Sequence, residues 1–261
     1  MNDANDLPLL RVSGLSKSYG GRAAMTDVSF DLWPGEVLAV VGESGSGKST
    51  LLGCVSGQLL PDAGSVFFHT RHEGMQNVLA MSEARRRLLA RTDWGFVHQN
   101  AAEGLRMDVS AGANVGERLM ALGERHYGRI RSEASNWLTK VELDPERMDE
   151  TPQSFSGGMR QRLQIARNLV THPRLVFMDE PTSGLDVSVQ AKLLDLLLQL
   201  TRQLHQSVII VTHDLAVARL LAHRTMVMQA GAVVEAGLTD QMLDDPQHPY
   251  TQLLVSSVLQ P

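Results

Sequence analysis

Apolar and polar positions alternate at the start of the chain. Leu10, Val12 and Leu15 lead into a turn at Gly20-Gly21, and Val28, Phe30 and Leu32 resume the alternation, the period of a strand buried on one face. Pro34-Gly35 marks the next turn. Val37 to Val41 is apolar without alternation, which predicts a strand buried on both faces. It runs directly into a glycine-rich loop, and Thr50 to Ser56 predicts the helix beyond. Pro61-Asp62-Ala63-Gly64 predicts a turn and Ser65 to Phe68 another strand. His69 and His72 flank Thr70-Arg71 in a loop or hairpin and are read as structural, not as a metal pair.

From about Ala101 to Thr171 the texture changes. Apolar residues recur at helical spacing: Val109, Ala113, Leu119 and Leu122, then Ile130, Ala134, Leu138 and Val141, then Leu163, Ile165, Ala166 and Leu169. This predicts a mainly helical subdomain inserted into an α/β core. The core resumes with buried-strand runs at Leu175 to Met178 and Val208 to Val211. Between them Val187 to Leu204 forms an amphipathic helical pattern, and strand, helix, strand implies a right-handed parallel crossover. Met226 to Met228 and Val233-Val234 predict late strands. Arg85-Arg86-Arg87 with Arg91 reads as a solvated helix face.

Composition narrows the function classes. Apolar residues make up 43% of 261, enough for a full core, and 24 basic against 29 acidic residues leave a net charge of −5. That balance argues against nucleic acid as a partner. One cysteine, Cys54, excludes an internal disulfide framework, reads as a buried structural thiol and fits a reducing, cytoplasmic compartment. Met1 to Asp6 has no basic start and no apolar run follows, so no secretory signal is expected. No stretch approaches the roughly 20 apolar residues that span a bilayer. Leu193 to Leu200 is broken by Asp195 and Gln199. A membrane role would therefore need a partner protein.

The motifs carry the chemistry. G-x-x-x-x-G-K-[ST] is met in full from Gly42 to Ser49. Its glycines let the backbone curl so that successive N–H groups face a polyphosphate, which makes Gly42, Ser44, Gly45 and Gly47 candidate binding residues. Lys48 can reach the β- and γ-phosphates, Ser49 can ligate Mg²⁺, and the helix that opens at Thr50 directs its positive end at the same charge. Leu175 to Glu180 reads as a strand ending in two carboxylates. Asp179 is placed to hold Mg²⁺ through water, and Glu180 to orient or deprotonate an attacking water. Phe155-Ser156-Gly157-Gly158-Met159 precedes a helix. Ser156 is an N-cap candidate, and Gly157 and Gly158 expose N–H groups suited to a γ-phosphate.

These motifs, in this order, resemble the ABC-type ATPases from about Leu9 onward. The resemblance implies a P-loop nucleotide-binding domain with three parts: an N-terminal antiparallel β subdomain, a RecA-like parallel-sheet core and an inserted α-helical subdomain. Residues 9–100 and 172–240 match the first two, 101–171 the helical signature subdomain and 241–261 the C-terminal tail. It further implies that Tyr19 stacks on adenine, that Gln99 touches Mg²⁺ and relays nucleotide state, and that His213 contacts the γ-phosphate. Ser183-Gly184-Leu185-Asp186 matches the family's interface-crossing loop, which places Asp186 among the nucleotide-site residues. The family works as a head-to-tail dimer, each ATP held by the P-loop of one copy and the Ser156-Gly157-Gly158 helix start of the other. Most members carry Leu-Ser-Gly-Gly-Gln, whereas this chain has Phe155 and Met159. The backbone donors survive and the amide side chain does not.

Two regions narrow the family. Asp245-Pro246-Gln247-His248-Pro249-Tyr250-Thr251 resembles the tail of ATPases that drive peptide and nickel importers. It also resembles a sister group, the ATP-binding subunits of the carbon–phosphorus lyase system. Gly104 to Arg106, Ser110 to Met120, Arg125 to Gly128, Phe30 to Gly35 and Phe155 to Met159 are similar to that sister group. The expected function is therefore an ATPase, with ATP and Mg²⁺, that dimerises with a second copy of itself and drives a soluble lyase core in phosphonate breakdown. The alternative is the motor of a membrane importer, although importer ATPases tend to carry a longer C-terminal extension. An ATP-gated DNA clamp or translation factor would need a coiled-coil insertion, a second cassette or a basic face.

Overall fold

The computed structural model describes residues 7–258; the reading of Met1 to Asp6 lies outside them. β1 (Leu10–Tyr19) and β2 (Arg22–Leu32) are joined through Gly20 and Gly21 at φ 55° and 81°. Two successive positive-φ residues make a turn whose twist suits a hairpin, and glycine adopts them without steric cost. β3 (Val37–Val41), α1 (Lys48–Val55), β4 (Ala63–Thr70), β5 (Gly74–Asn77), α2 (Glu83–Thr92) and β6 (Trp94–Val97) follow. Next come α3 (Ala101–Gly104), α4 (Ala111–Ala121), α5 (Tyr127–Lys140), α6 (Gly157–Leu169), β7 (Leu175–Asp179) and α7 (Val187–Leu204). The chain closes with β8 (Ser207–Thr212), α8 (Leu215–Leu221), β9 (Arg224–Gln229), β10 (Ala232–Leu238), α9 (Thr239–Asp244) and α10 (Pro249–Val258).

These elements gather into two units, one of residues up to Arg86 together with those from His205 on, the other Arg87–Leu204. The first unit holds an antiparallel sheet in the order β2-β1-β4-β5. It also holds β3 flanked by parallel β8 and β9, with β10 antiparallel to β9. β3 and β8 are buried at every position, which is why they read as unbroken apolar runs. α1 packs on β1, β2 and β8 and buries Leu51, Leu52, Cys54 and Val55. Burial pushes the Cys54 thiol up to about 11, so it stays protonated and inert at neutral pH. Glu36 is buried but satisfied: it accepts from Trp33 N–H at 2.8 Å and pairs with Arg224 at 2.8 Å.

The second unit pairs β6 with β7 in parallel, and Trp94 packs edge-on against Phe177 across the pair at 5.2 Å. α4, α5 and α6 pack against one another around Trp137, which is fully buried. The loop before α4 is organised by Asn114, itself fully buried. Asn114 accepts from Arg106 N–H at 2.8 Å and donates to the carbonyls of Arg106, Val109 and Ser110. Every polar atom of that amide is used, which is what permits its burial.

The predicted antiparallel strands, buried parallel strands and helical segment are all present. The helix after the glycine-rich loop begins at Lys48, two residues before the predicted Thr50, because Gly47 at φ 103° already ends the loop. β5, β6, α8, α9 and α10 are not predicted by the hydrophobic pattern; β5 and β6 are four residues each, too short for a period to register.

Candidate functional site

Candidate residues fall on both units: Tyr19, Gly42 to Thr50 and His213 on the first, Gln99, Ser156 to Gly158, Asp179, Glu180 and Asp186 on the second. In the first, β3 delivers the chain to Gly42. A Cβ at Gly42 would lie 2.2 Å from the Met228 carbonyl oxygen, and one at Gly47 would lie 2.4 Å from that of Ala24. Both positions also have φ above 100°. No side chain fits there, so the close approach of backbone that shapes the loop depends on these two glycines. Gly45, at φ 81°, faces open space.

The loop is tied from within. Ser46 N–H donates to Glu43 O at 3.2 Å, and Gly231 N–H donates to Ser46 O at 3.0 Å. Lys48 Nζ, buried at the base of the loop, donates to the carbonyls of Gly42 and Glu43, each at 2.8 Å. Among the described residues, Ser46 Oγ is buried without a hydrogen-bond partner. A curled backbone, an anchored ammonium, an orphaned hydroxyl and the N-terminal end of α1 together suit a polyanion.

Tyr19 ends β1 beside the Gly20-Gly21 turn and is 52% exposed, with Lys17 Nζ 5.7 Å from its ring centre. His213 follows β8 and is exposed. Its backbone is held by the next residue: Asp214 N–H donates to Thr212 Oγ1 at 3.0 Å, and Asp214 caps α8 by accepting from Ala216 N–H at 2.8 Å.

In the second unit β7 ends at Asp179, and Glu180 follows at φ 42°. A glutamate in the left-handed region is held there against its preference, and such strain concentrates at functional positions. Ser183 N–H donates to Glu180 O at 3.0 Å and closes the turn. Gln99 Nε2 donates to Glu180 Oε2 at 3.4 Å and to Ser183 Oγ at 3.1 Å, so three predicted motifs meet in one hydrogen-bonded group. Asp186 accepts from Val189 N–H at 3.0 Å and from Ser188 Oγ at 2.8 Å. Those two donors hold its carboxyl below the usual range, and Asp186 thereby caps α7.

Ser156 caps α6, its Oγ accepting from Met159 N–H at 3.3 Å. A Cβ on Gly158 would lie 2.5 Å from Val189 Cγ1, whereas one on Gly157 would meet Leu185 Cδ2 at an ordinary 3.7 Å. Gly158 thus lets α6 and α7 approach. The two departures from the family pattern share one neighbour. The Arg147 guanidinium stacks 4.7 Å from the Phe155 ring and reaches Met159 Sδ at 3.6 Å. Arg147, then Ser154, hold the Glu150 carboxyl down at about 2.

Sequence reasoning missed a set of buried amides on α6. Gln164 is fully buried; its Oε1 accepts from His98 N–H at 2.6 Å and its Nε2 donates to His98 O at 3.1 Å. Gln161 Nε2 donates to the same carbonyl at 3.2 Å, and Asn168 Oδ1 accepts from Phe96 N–H at 3.0 Å. These side chains complete the hydrogen bonding of β6 and fix the residue before Gln99. Gly104 belongs to the same arrangement, since a Cβ there would lie 2.2 Å from Gln164 Oε1. The only signal in the sequence is polar residues at buried helical phase. Gln164→Leu strands the His98 N–H while Gln161 keeps the carbonyl. It is expected to lower unfolding stability by about 1–3 kcal/mol. A denaturant midpoint unchanged from the parent chain would contradict this.

Comparison with known proteins agrees with the geometry. The family model for ABC transporters matches residues 25–183. The phosphonates utilization ATP-binding protein PhnK of Escherichia coli (strain K12) is 63% identical over 253 residues, covering 97% of this chain and 98% of that one. The dipeptide transport ATP-binding protein DppD of Bacillus subtilis (strain 168) is 37% identical, covering 92% and 73% respectively. Among solved structures, the ATP-binding cassette MJ0796, dimeric in a post-hydrolysis state bound to ADP and Pi, has a TM-score of 0.79 and 28% identity. That likeness covers 88% of this chain and 98% of the cassette. No helix among the described residues is long and apolar enough to cross a membrane.

Proposed function

Because the chain belongs to the ABC family of ATP-binding cassettes, and so is an ATPase that uses ATP and Mg²⁺, we propose that it powers a soluble carbon–phosphorus lyase assembly in phosphonate breakdown. The observation that carries this reading is the 63% identity, over 97% of this chain, with the E. coli protein named for phosphonates utilization. The working unit is a head-to-tail homodimer in the cytoplasm, a reading supported by the dimeric cassette of matching fold.

The residues take these roles. Gly42, Ser44, Gly45, Gly47, Lys48, Ser49 and Thr50 bind the phosphate chain, Tyr19 stacks on the base, and Ser156 to Gly158 of the second copy close over the γ-phosphate. Ser49, Gln99 and Asp179 offer a hydroxyl, an amide oxygen and a carboxylate. That all-oxygen set suits Mg²⁺, which takes one or two protein carboxylates and the substrate's own phosphates. When bound, the cation neutralises phosphate charge. Glu180 accepts the proton of the attacking water, Gln99 holds the Glu180 carboxylate through the contact at 3.4 Å, and His213 donates to the γ-phosphate. Asp186 both caps α7 and lies in the loop that meets the second copy.

A strain lacking the chain tests the biological reading. Growth on a phosphonate as sole phosphorus source is expected to fail, to return with the parent chain, and to stay absent with Lys48→Ala. Growth on inorganic phosphate should be normal throughout. Normal growth of the deletion strain on phosphonate, with a defect in peptide uptake instead, would favour the importer reading that the 37% identity to DppD supports.

A further inference from the structure

The tail motif Asp245 to Thr251 has so far served only as a likeness, yet it touches the phosphate-binding loop. Glu43 N–H donates to Tyr250 Oη at 3.1 Å, across 207 positions of sequence. We propose that Tyr250 is a positioning residue that latches the P-loop at Glu43, and that the rest of the motif exists to hold Tyr250 in place. The inference rests on the reading of Gly42–Ser49 as the nucleotide loop.

Glu43 is the pivot of that loop. Its carbonyl accepts both Ser46 N–H and Lys48 Nζ, so its peptide unit sets where the turn closes and where the ammonium is parked. The opposite edge of the same residue, the N–H, is what Tyr250 holds. Gly45 faces open space, and a hydrogen bond at Glu43, beside the Gly231 tie at Ser46, restricts the shapes the loop samples before nucleotide arrives. Pre-ordering of this kind strengthens binding by reducing what must be ordered on binding.

The motif supplies the anchor residue by residue. Glu235 on β10 accepts Gln247 N–H at 2.9 Å and His248 N–H at 3.0 Å, which fixes the turn ahead of α10. His248 caps that helix: its Nδ1 accepts Tyr250 N–H at 3.2 Å and its carbonyl accepts Gln252 N–H at 3.0 Å. Pro249 occupies the first helical position, where its missing N–H costs nothing. Gln252 Nε2 returns to Pro246 O at 2.9 Å. Tyr250, 7% exposed, is thereby aimed at the loop from a braced turn.

Tyr250→Phe removes the hydroxyl and keeps the ring, so the fold is retained. The full chain with this change is expected to show a KM and a Kd for MgATP raised about threefold to tenfold, with kcat within about twofold, as loss of one hydrogen bond to a part-buried N–H implies. The Glu43 amide should exchange with solvent faster in the same variant. Glu235→Ala should act in the same direction, and the double variant should add little to either alone, because both act through one contact. Ser256→Ala, on the exposed side of the same helix, should match the parent chain. Tyr250→Phe with parental affinity and parental Glu43 exchange would overturn the latch, as would a fall in kcat at constant KM. Should the parent chain itself fail to bind MgATP, the reading of the loop fails instead, and Glu43 exchange still decides the latch.

Discussion

Glu180→Gln is expected to lower ATP turnover by roughly 10²- to 10⁴-fold while MgATP still binds, the range that removal of a general base produces. The substitution is nearly isosteric. Its amide oxygen can still accept from Gln99 Nε2, as Glu180 Oε2 does at 3.4 Å, and the turn closed by Ser183 N–H is made by backbone alone. What disappears is the capacity to take a proton. Glu180→Ala would remove the proton acceptor and the Gln99 contact together, so the glutamine variant is the cleaner probe. Phosphate release under single-turnover conditions, with nucleotide affinity measured on the same sample, separates chemistry from binding. Turnover near that of the parent chain would move the base elsewhere. Loss of binding in parallel would make Glu180 a binding residue.

Lys48→Ala is expected to do the reverse, lowering MgATP affinity by about 10²-fold or more. A buried ammonium with two carbonyl acceptors at 2.8 Å serves two purposes. It parks on the loop, where it stitches Gly42 and Glu43 together, and it is the only Lys or Arg of the Gly42–Ser49 motif. Charge-assisted hydrogen bonds are worth about 1.5–3 kcal/mol each, so the loss of contacts to phosphate alone accounts for one to two decades. Equilibrium binding of a fluorescent ATP analogue would measure it. Affinity within about threefold of the parent chain would contradict the assignment. The two variants should also part in their response to nucleotide: MgATP should stabilise a dimer of Glu180→Gln and leave Lys48→Ala monomeric.

Legibility in the sequence followed the physics of each element. β3 and α7 are found at their predicted bounds, Val37–Val41 and Val187–Leu204, because an unbroken buried strand and a long amphipathic helix each repeat their signal. β5 and β6 repeat theirs too few times. The helix cap at Ser156 is local chemistry and is read from residue type; Asp186, expected only in the interface loop, also caps α7. The Gly42 and Gly47 contacts could be expected from the motif, although their partners, Met228 and Ala24, could not, since nothing local encodes a contact between segments distant in sequence. The same limit hid Gln164 on His98 and Tyr250 on Glu43. In both cases a polar side chain lies buried where helical phase alone would call for an apolar one, because it completes another segment's backbone hydrogen bonds. The strained φ of Glu180 is likewise invisible in a letter that ordinarily prefers the right-handed region.

The central claim, that this cassette drives a soluble lyase core, is tested most directly by isolating Glu180→Gln from its native cells in MgATP, with soluble and membrane fractions kept apart. With hydrolysis blocked, the dimer should be trapped on its partner. The account predicts recovery in the soluble fraction with carbon–phosphorus lyase core subunits, lost when Lys48→Ala replaces the bait. Recovery in the membrane fraction with a multi-span protein would contradict it and make this chain the motor of an importer.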